Sequence, residues 1–272
     1  MGGRVLLWDS TLRDAPDATG LSRSESRRLD LVRQLARSGV AETIVVSPDH
    51  VTDDVRFARR VKAEGLGITL SGQIRANQPD AESQIDQAIE VLDRIDLLMP
   101  LSETQPPVGG AKKISVLVQV LDYARSKSTQ IGVGFLYATD ASPLFLLEIS
   151  QHATRAGAQR LTFYDTRGEA EPFSLRSMLE ELIAEVRVPV FFHARDHLGL
   201  AVANSWAAVL AGARGLGLSV LGWRQGAGNA SLEQVADLLE RNKISTGANL
   251  GEVAKLEALL RLSVSDLEPV AE

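Results

Sequence analysis

Arg13 and Asp14 stand side by side near the amino terminus, and His193, Arg195 and His197 follow at alternate positions far downstream, with Asn229 beyond them. Asp14, His193 and Asn229 offer a carboxylate, an imidazole nitrogen and an amide oxygen. That donor mixture is compatible with Mg2+, Mn2+ or Zn2+. Arg13, Arg75, Arg167, Arg195 and Arg224 are five guanidinium groups that, gathered at one place, would hold a carboxylate or phosphate through bidentate hydrogen bonds. Two plainer readings stay open: each arginine neutralises a neighbouring Asp or Glu, and His193 is a hydrogen-bonded structural residue. Nucleophilic catalysis finds less support. There is no G-x-S-x-G elbow, and with no cysteine in the chain thiolate nucleophiles, thiolate zinc sites and disulfides are excluded.

Positioning these residues requires elements, and the chain supplies a regular alternation. Apolar, β-rich runs are expected to be strands at Val5–Asp9, Thr43–Val46, Gly67–Ile74, Ile95–Met99, Ile131–Leu136, Arg160–Tyr164, Val190–His193 and Leu216–Leu221. Between them apolar residues recur at helical spacing, as in Leu29, Val32, Leu35, Ala36 and in Ile85, Ala88, Ile89, Leu92. Ser24 and Ser174 lie near expected helix starts, while Gly39, Gly65, Gly157 and Gly212 lie just past helix ends. Parallel strands need helical crossovers, and eight such units close into a filled α/β cylinder, the (β/α)8 TIM barrel. An open doubly wound sheet is the alternative, but no G-x-G-x-x-G follows the first strand.

In a barrel of this kind the carboxy-terminal strand ends form one mouth, where chemistry is placed. That mouth collects Asp9, Ser10, Thr11, Arg13 and Asp14; Ser47, Asp49 and His50; Arg75 and Asn77; Tyr164, Asp165, Thr166 and Arg167; His193, Arg195, Asp196 and His197; and Arg224, Gln225 and Asn229. The 272 residues suit one such domain, with the barrel over about 4–245 and a helix over about 250–262. The stretch Pro100–Lys113, whose LSETQPPVGGAKK carries two prolines, two glycines and two lysines, is expected to be a mobile loop. A net charge of −6 argues against nucleic acid or an anionic membrane surface as partner. The opening MGGRVLLWDSTLRD reaches charged residues too early for a signal peptide, so a cytoplasmic protein is expected. A homodimer is the expected assembly.

Four segments carry a resemblance. DSTLRD at Asp9–Asp14 resembles the D-[ST]-T-L-R-D-G opening of the barrel enzymes that include isopropylmalate, homocitrate and citramalate synthases and hydroxymethylglutaryl-CoA lyase. HARDHLGLAVANSWAAVLAGA at His193–Ala213 resembles their H-x-H-N-D-x-G-L-A-V-A-N-S segment, AGNASLEQV at Ala227–Val235 their A-G-N-A-x-L-E-x-V, and DTRG at Asp165–Gly168 their D-T-x-G. The resemblance implies a TIM barrel that makes or breaks a carbon–carbon bond in a 2-oxo acid or acyl-CoA substrate. It implies Asp14, His193 and Asn229 as metal ligands, Arg13 as stabiliser of a developing enolate or alkoxide, and Thr166 at a substrate carboxylate. Arg75, Asp165, Arg167 and His197 are further substrate-binding candidates at the same mouth, and acyl-CoA is the implied co-substrate. The chain stops where the synthases continue into a linker and regulatory domain, so no such domain is expected.

The departures bear on the same site. The second histidine of H-x-H is Arg195, whose guanidinium stays protonated and cannot ligate a cation. Arg195 is therefore a candidate catalytic cation, and divalent metal binding is expected to be weak or absent. Ile44 stands where the resemblance places a strand-2 glutamate, Ala15-Pro16-Asp17 replaces G-E-Q, and Tyr137-Ala138-Thr139 replaces an acidic segment. His197 could substitute as a ligand only if the chain turned at Arg195–Asp196, because residues 193 to 197 of an extended strand span roughly 13 Å. Three functions stay in view: a carbon–carbon synthase or lyase, a barrel with metal-independent chemistry on another anionic ligand, and a non-catalytic partner subunit.

Overall fold

The computed structural model describes residues 4–14, 24–102, 109–127, 130–223 and 226–265. Eight strands, all parallel, close into a barrel in sequence order: β1 (Leu6–Asp9), β2 (Glu42–Val46), β3 (Thr69–Arg75), β4 (Arg94–Pro100), β5 (Ile131–Leu136), β6 (Leu161–Asp165), β7 (Val190–Ala194) and β8 (Gly215–Leu218). The helices around it are α1 (Thr11–Asp14), α2 (Glu25–Arg37), α3 (Val51–Ala63), α4 (Ala81–Ala88) and α5 (Gly110–Lys127). They continue with α6 (Pro143–Arg155), α7 (Pro172–Glu185), α8 (Ala201–Ala211), α9 (Leu232–Arg241) and α10 (Leu250–Ser265). Closure comes from β1 pairing β8, with Leu6 opposite Gly215 and Asp9 opposite Leu218. The expected strands agree with these to within a few residues, except that β8 ends at Leu218. Beyond it Ser219 bridges to Ser231 and the chain winds into a 3-10 turn, Val220–Gly222.

Local signals explain the helices. Ser24 caps α2 by accepting from Arg27 N at 3.4 Å. The α7 cap is Glu171, whose carboxylate accepts from Phe173 N and Ser174 N with Pro172 in the first turn, and Ser174 lies in that turn, near the helix start as expected. The expected Pro100–Lys113 loop is shorter at both ends: Pro100 ends β4, and α5 begins at Gly110 and buries Lys113, whose Nζ donates to Leu101 O at 2.6 Å, while residues 103–108 are outside the described residues. Among the described residues no helix is long and apolar enough to cross a membrane.

Strands alternate faces, and the two faces serve different ends. Outward residues such as Leu70, Leu97, Val133, Phe163 and Leu216 pack under the helices in one continuous core. Inward residues form a second apolar layer within the barrel: Trp8, Ile44, Leu98, Tyr164 and Phe191. Glycines on β8 leave room for it, since a Cβ at Gly217 would lie 2.2 Å from the Trp8 ring and 2.5 Å from His193 Nδ1. Below this layer the barrel holds a buried ionic cluster. Arg160 Nη1 and Nη2 donate to Glu42 at 2.7 and 2.6 Å, and its Nη2 also reaches Asp96 Oδ2 at 2.5 Å. The barrel is therefore a packed plug, open to ligands only at its ends.

A candidate active site at the carboxy-terminal mouth

The site starts with the first strand. β1 delivers Asp9 to the rim, where it accepts from Thr11 N at 3.1 Å and from Thr11 Oγ1 at 2.5 Å. These bonds turn the chain at once into α1, which places Arg13 and Asp14 over the barrel interior. Arg13 grips Asp14 with two parallel bonds, Nε to Oδ1 at 2.8 Å and Nη2 to Oδ2 at 2.7 Å. Its remaining nitrogen, Nη1, donates to Gln73 Oε1 at 2.5 Å, and Gln73 Nε2 donates in turn to the Tyr164 hydroxyl at 2.7 Å. Asn229 Nδ2 completes the group by donating to Asp14 Oδ2 at 2.8 Å.

Electrostatics follows from burial and partners. Burial alone would raise the Asp14 carboxyl, but the Arg13 guanidinium outweighs it and, with His193 and Ser10 assisting, holds Asp14 well below the usual carboxylate range. Burial pushes the Tyr164 phenol well above its ordinary value, so it stays protonated at neutral pH. His193 lies inside the barrel, stacked on Trp8 at 5.3 Å between ring centroids and tilted 46° against Tyr164.

Burial also pushes the Asp9 carboxyl up to about 7, against the Thr11 and Thr43 hydrogen bonds that favour its charged form. A carboxyl that holds its proton more tightly in the folded state loses stability as pH rises from its unfolded value of 3.8, and the loss is complete above about 7. Asp9→Asn keeps an acceptor for Thr11 and does not titrate. Its stability relative to the parent is expected to rise by on the order of 3 kcal/mol between about pH 4 and pH 8 in urea titrations. A difference independent of pH would contradict that account.

The loops after β6, β7 and β8 are sewn together at the mouth. Asp165 accepts from the backbone of Gly168, Glu169 and Ala170 and from the Thr139 hydroxyl, closing the turn after β6. Thr166 Oγ1 accepts from Tyr137 N at 2.7 Å, and Tyr137 itself adopts φ 58°. Gly168, with φ 73°, lies under the next loop: a Cβ there would be 2.7 Å from His197 N and 2.8 Å from Arg195 O. Arg195 and Asn229 form an antiparallel bridge, and Arg195 Nη1 donates to Thr166 O at 2.8 Å.

The expected site residues therefore divide. Arg13, Asp14, Thr166, His193, Arg195 and Asn229 belong to this connected mouth. Arg75 instead pairs with Asp49, and the exposed Arg167 with Asp140 at 3.2 Å, so their charges are already matched. The chain does turn after Arg195, but His197 is exposed, and the neighbouring Asp196 caps α8 through Ala201 N at 2.8 Å. Arg224, Gln225 and Ala15-Pro16-Asp17 lie outside the described residues. Gln73 is absent from the residues expected at the mouth, whereas Tyr164 is among them without an assigned role. The signal for Gln73 is the inward alternation of Ser71, Gln73 and Arg75 along β3, and that for Tyr164 is its place one residue before the D-T-x-G segment.

A divalent cation does not fit this donor set. Both Asp14 oxygens are occupied by Arg13, and Asn229 turns its amide nitrogen, not its oxygen, toward Asp14. Arg195 offers a protonated guanidinium that cannot ligate a cation, Ile44 is buried in the apolar layer, and no three His, Cys, Asp or Glu side chains gather among the described residues. Asn229 Oδ1 is buried and without a hydrogen-bond partner, a ligand-type oxygen open to a newcomer. Calorimetric titration with Mn2+ or Zn2+ is expected to show binding weaker than micromolar, and Arg195→His to tighten it by about tenfold or more. Tight binding by the parent, or no gain in the variant, would mean the donors rearrange.

A parallel eight-stranded barrel with a half-buried arginine–aspartate pair, a histidine and an asparagine at its carboxy-terminal mouth defines a TIM-barrel protein of enzyme type. The chain belongs to the HMGL-like family, whose model matches residues 4–260. It is 28% identical over 242 residues to homocitrate synthase 1 of Nostoc sp., covering 88% of this chain and 63% of that protein. It is 29% identical to the 2-isopropylmalate synthase of Pyrococcus furiosus, covering 99% of this chain and 57% of that one. The chain thus spans less than two thirds of the length of these curated relatives. The HMG-CoA lyase of Bacillus subtilis superposes with a TM-score of 0.83 at 19% identity, over 99% of this chain and 97% of that one, a likeness of fold.

Proposed function

We propose that the chain makes or breaks a carbon–carbon bond in a carboxylate substrate of the 2-oxo acid type, with an acyl-CoA as co-substrate. The observation that carries this reading is the Arg13–Asp14–Asn229 group, kept together over His193 at the mouth despite the replacements around it. In either direction such a reaction passes through an enolate or alkoxide. A half-buried guanidinium fixed by two carboxylate bonds needs no reorganisation to stabilise that charge. Arg195 adds a second cation on the Thr166 side, where the substrate carboxylate would lie. Asn229 Oδ1 accepts a substrate hydroxyl, which supplies the donor it lacks. Tyr164, held protonated and already accepting from Gln73, keeps its own proton to give.

Ile44 and Arg195 favour a second reading on the same mouth, metal-independent chemistry on a different anionic ligand. One experiment separates the possibilities. The protein has no cysteine, so thiol release from acetyl-CoA in the presence of 2-oxo acids can be followed with a thiol reagent against no protein background. Cleavage of a hydroxyacyl-CoA is assayed alongside. Turnover in either direction supports the first reading. Thermal stabilisation by carboxylates without turnover supports the second, and neither response would sink both in favour of a partner subunit.

A further inference from the structure

We propose that the amino-terminal end of the barrel, opposite the mouth, carries a second site that binds a phosphorylated small molecule of the diphosphate-ester type. A cleft of about 840 Å3 opens there, at the starts of β7, β8 and β1. Four cationic residues line it: Arg4 before β1, Arg187 before β7, Arg214 before β8, and Lys243 just after α9. Among the described residues no carboxylate lines the cleft, although the chain carries a net charge of −6. Arg187, Arg214 and Lys243 make no ion pair among the described residues, unlike Arg75 and Arg167 at the other end. Unmatched like charges around one concavity raise the local concentration of anions and repel one another until an anion arrives.

Two features indicate a built site. Arg4 is fixed in place: its Nε donates to Thr246 O at 2.9 Å, and its guanidinium lies so close over Gly247 that a Cβ there would overlap it. Lys243 occupies a helix-ending position with φ 58°, where Lys243 N donates to Glu240 O and Ile244 N to Leu239 O. Glycine is the usual occupant of such a position, because any side chain in the left-handed region is strained. A lysine held there against that preference is explained by its ammonium in the cleft. The chemistry of the walls narrows the ligand. Strand-start backbone groups are already used, Val5 N on Ser245 O and Arg214 N on Val190 O, so recognition falls to the side chains. Several guanidinium forks suit the oxygens of a diphosphate. Half-buried Ile183, Val188 and Ile244 form an apolar floor for the organic part of an ester.

The test uses the full chain and two probes, inorganic pyrophosphate and ADP, titrated calorimetrically at low salt. Both are expected to bind, ADP more tightly, and added salt to weaken both. Arg214→Gln and Lys243→Gly are each expected to weaken binding by about tenfold. Arg241→Gln, which removes a solvated pair with Asp237 on α9, and Arg195→Ala at the mouth are expected to leave it unchanged. Lys243→Gly also guards against misfolding: relief of the left-handed strain is expected to raise the melting temperature of the ligand-free protein by about 2 °C. Absence of binding by both probes, parent-like binding by the two cleft variants, or loss of binding in Arg195→Ala would each overturn the proposal. Pyrophosphate binding without a gain for ADP would overturn the ester assignment. None of these readouts depends on turnover at the mouth.

Discussion

Arg13→Ala is expected to cost about 3–5 kcal/mol of folding stability and to weaken carboxylate binding by roughly tenfold to a hundredfold. Two separate causes act at one residue. Arg13 provides the charge and two of the hydrogen bonds that compensate the Asp14 carboxylate for burial, with Asn229 supplying another, so its loss leaves an unpaired charge in the rim beside Gln73 and Tyr164. A charge-assisted hydrogen bond to a substrate oxyanion adds about 1.5–3 kcal/mol of its own. The causes separate in a double variant. Arg13→Ala with Asp14→Asn removes the stranded charge and is expected to regain most of the stability in urea unfolding, while the affinity stays lost. Arg59→Ala, whose guanidinium meets Glu90 only at 3.6 Å on the surface, is expected to change neither. Should Arg13→Ala and Arg59→Ala behave alike, Arg13 has no special place in the site.

The second large effect lies deeper in the barrel and is expected to leave the mouth chemistry alone. Arg160→Leu strands Glu42 and Asp96, both buried, and is expected to destabilise the fold by about 3–5 kcal/mol or more. Burial would raise the Glu42 carboxyl, but Arg160 and then Arg94 hold it below its usual range. Its share of stability is therefore present above the unfolded carboxylate value of 4.5 and is lost as pH falls below it. The parent is expected to lose this contribution in acid, and Arg160→Leu to have none left to lose. Replacing Arg160, Glu42 and Asp96 together by apolar residues of matching volume is expected to restore stability, because the cluster's attraction mainly offsets its own desolvation. Denaturant titration of single and triple variants decides this. A mild single variant would show that water reaches the cluster.

How the fold became legible in the sequence is clear from particular elements. The apolar run predicts β5 at Ile131–Leu136 and the strand is found there, because such a run and its flanking turns are local properties. The end of β8 was placed three residues too far, because Ser219 leaves the ladder for Ser231, a partner that no local pattern reveals. The mouth residues after β1, β6 and β7 were identified because strand ends in a closed parallel barrel must share one rim. Whether those residues act together was a different question. Arg75 and Arg167 stood in the same positional class as Arg13 and Arg195, yet each found its own aspartate at the surface.

By itself, then, the sequence determined the eight-unit barrel and the end at which the polar residues gather. Those depend on spacing, alternation and residue type, which one chain displays directly. Tertiary structure decided which charges are matched. Gln73 reaches Tyr164 across 91 residues, Asn229 reaches Asp14 across 215, and Arg160 reaches Glu42 across 118. It also left Asn229 Oδ1 without a partner and Asp9 with a raised affinity for its proton. Hydrogen bonds and desolvation act over a few ångströms, and closing the barrel brings residues within that range at separations that no local pattern encodes.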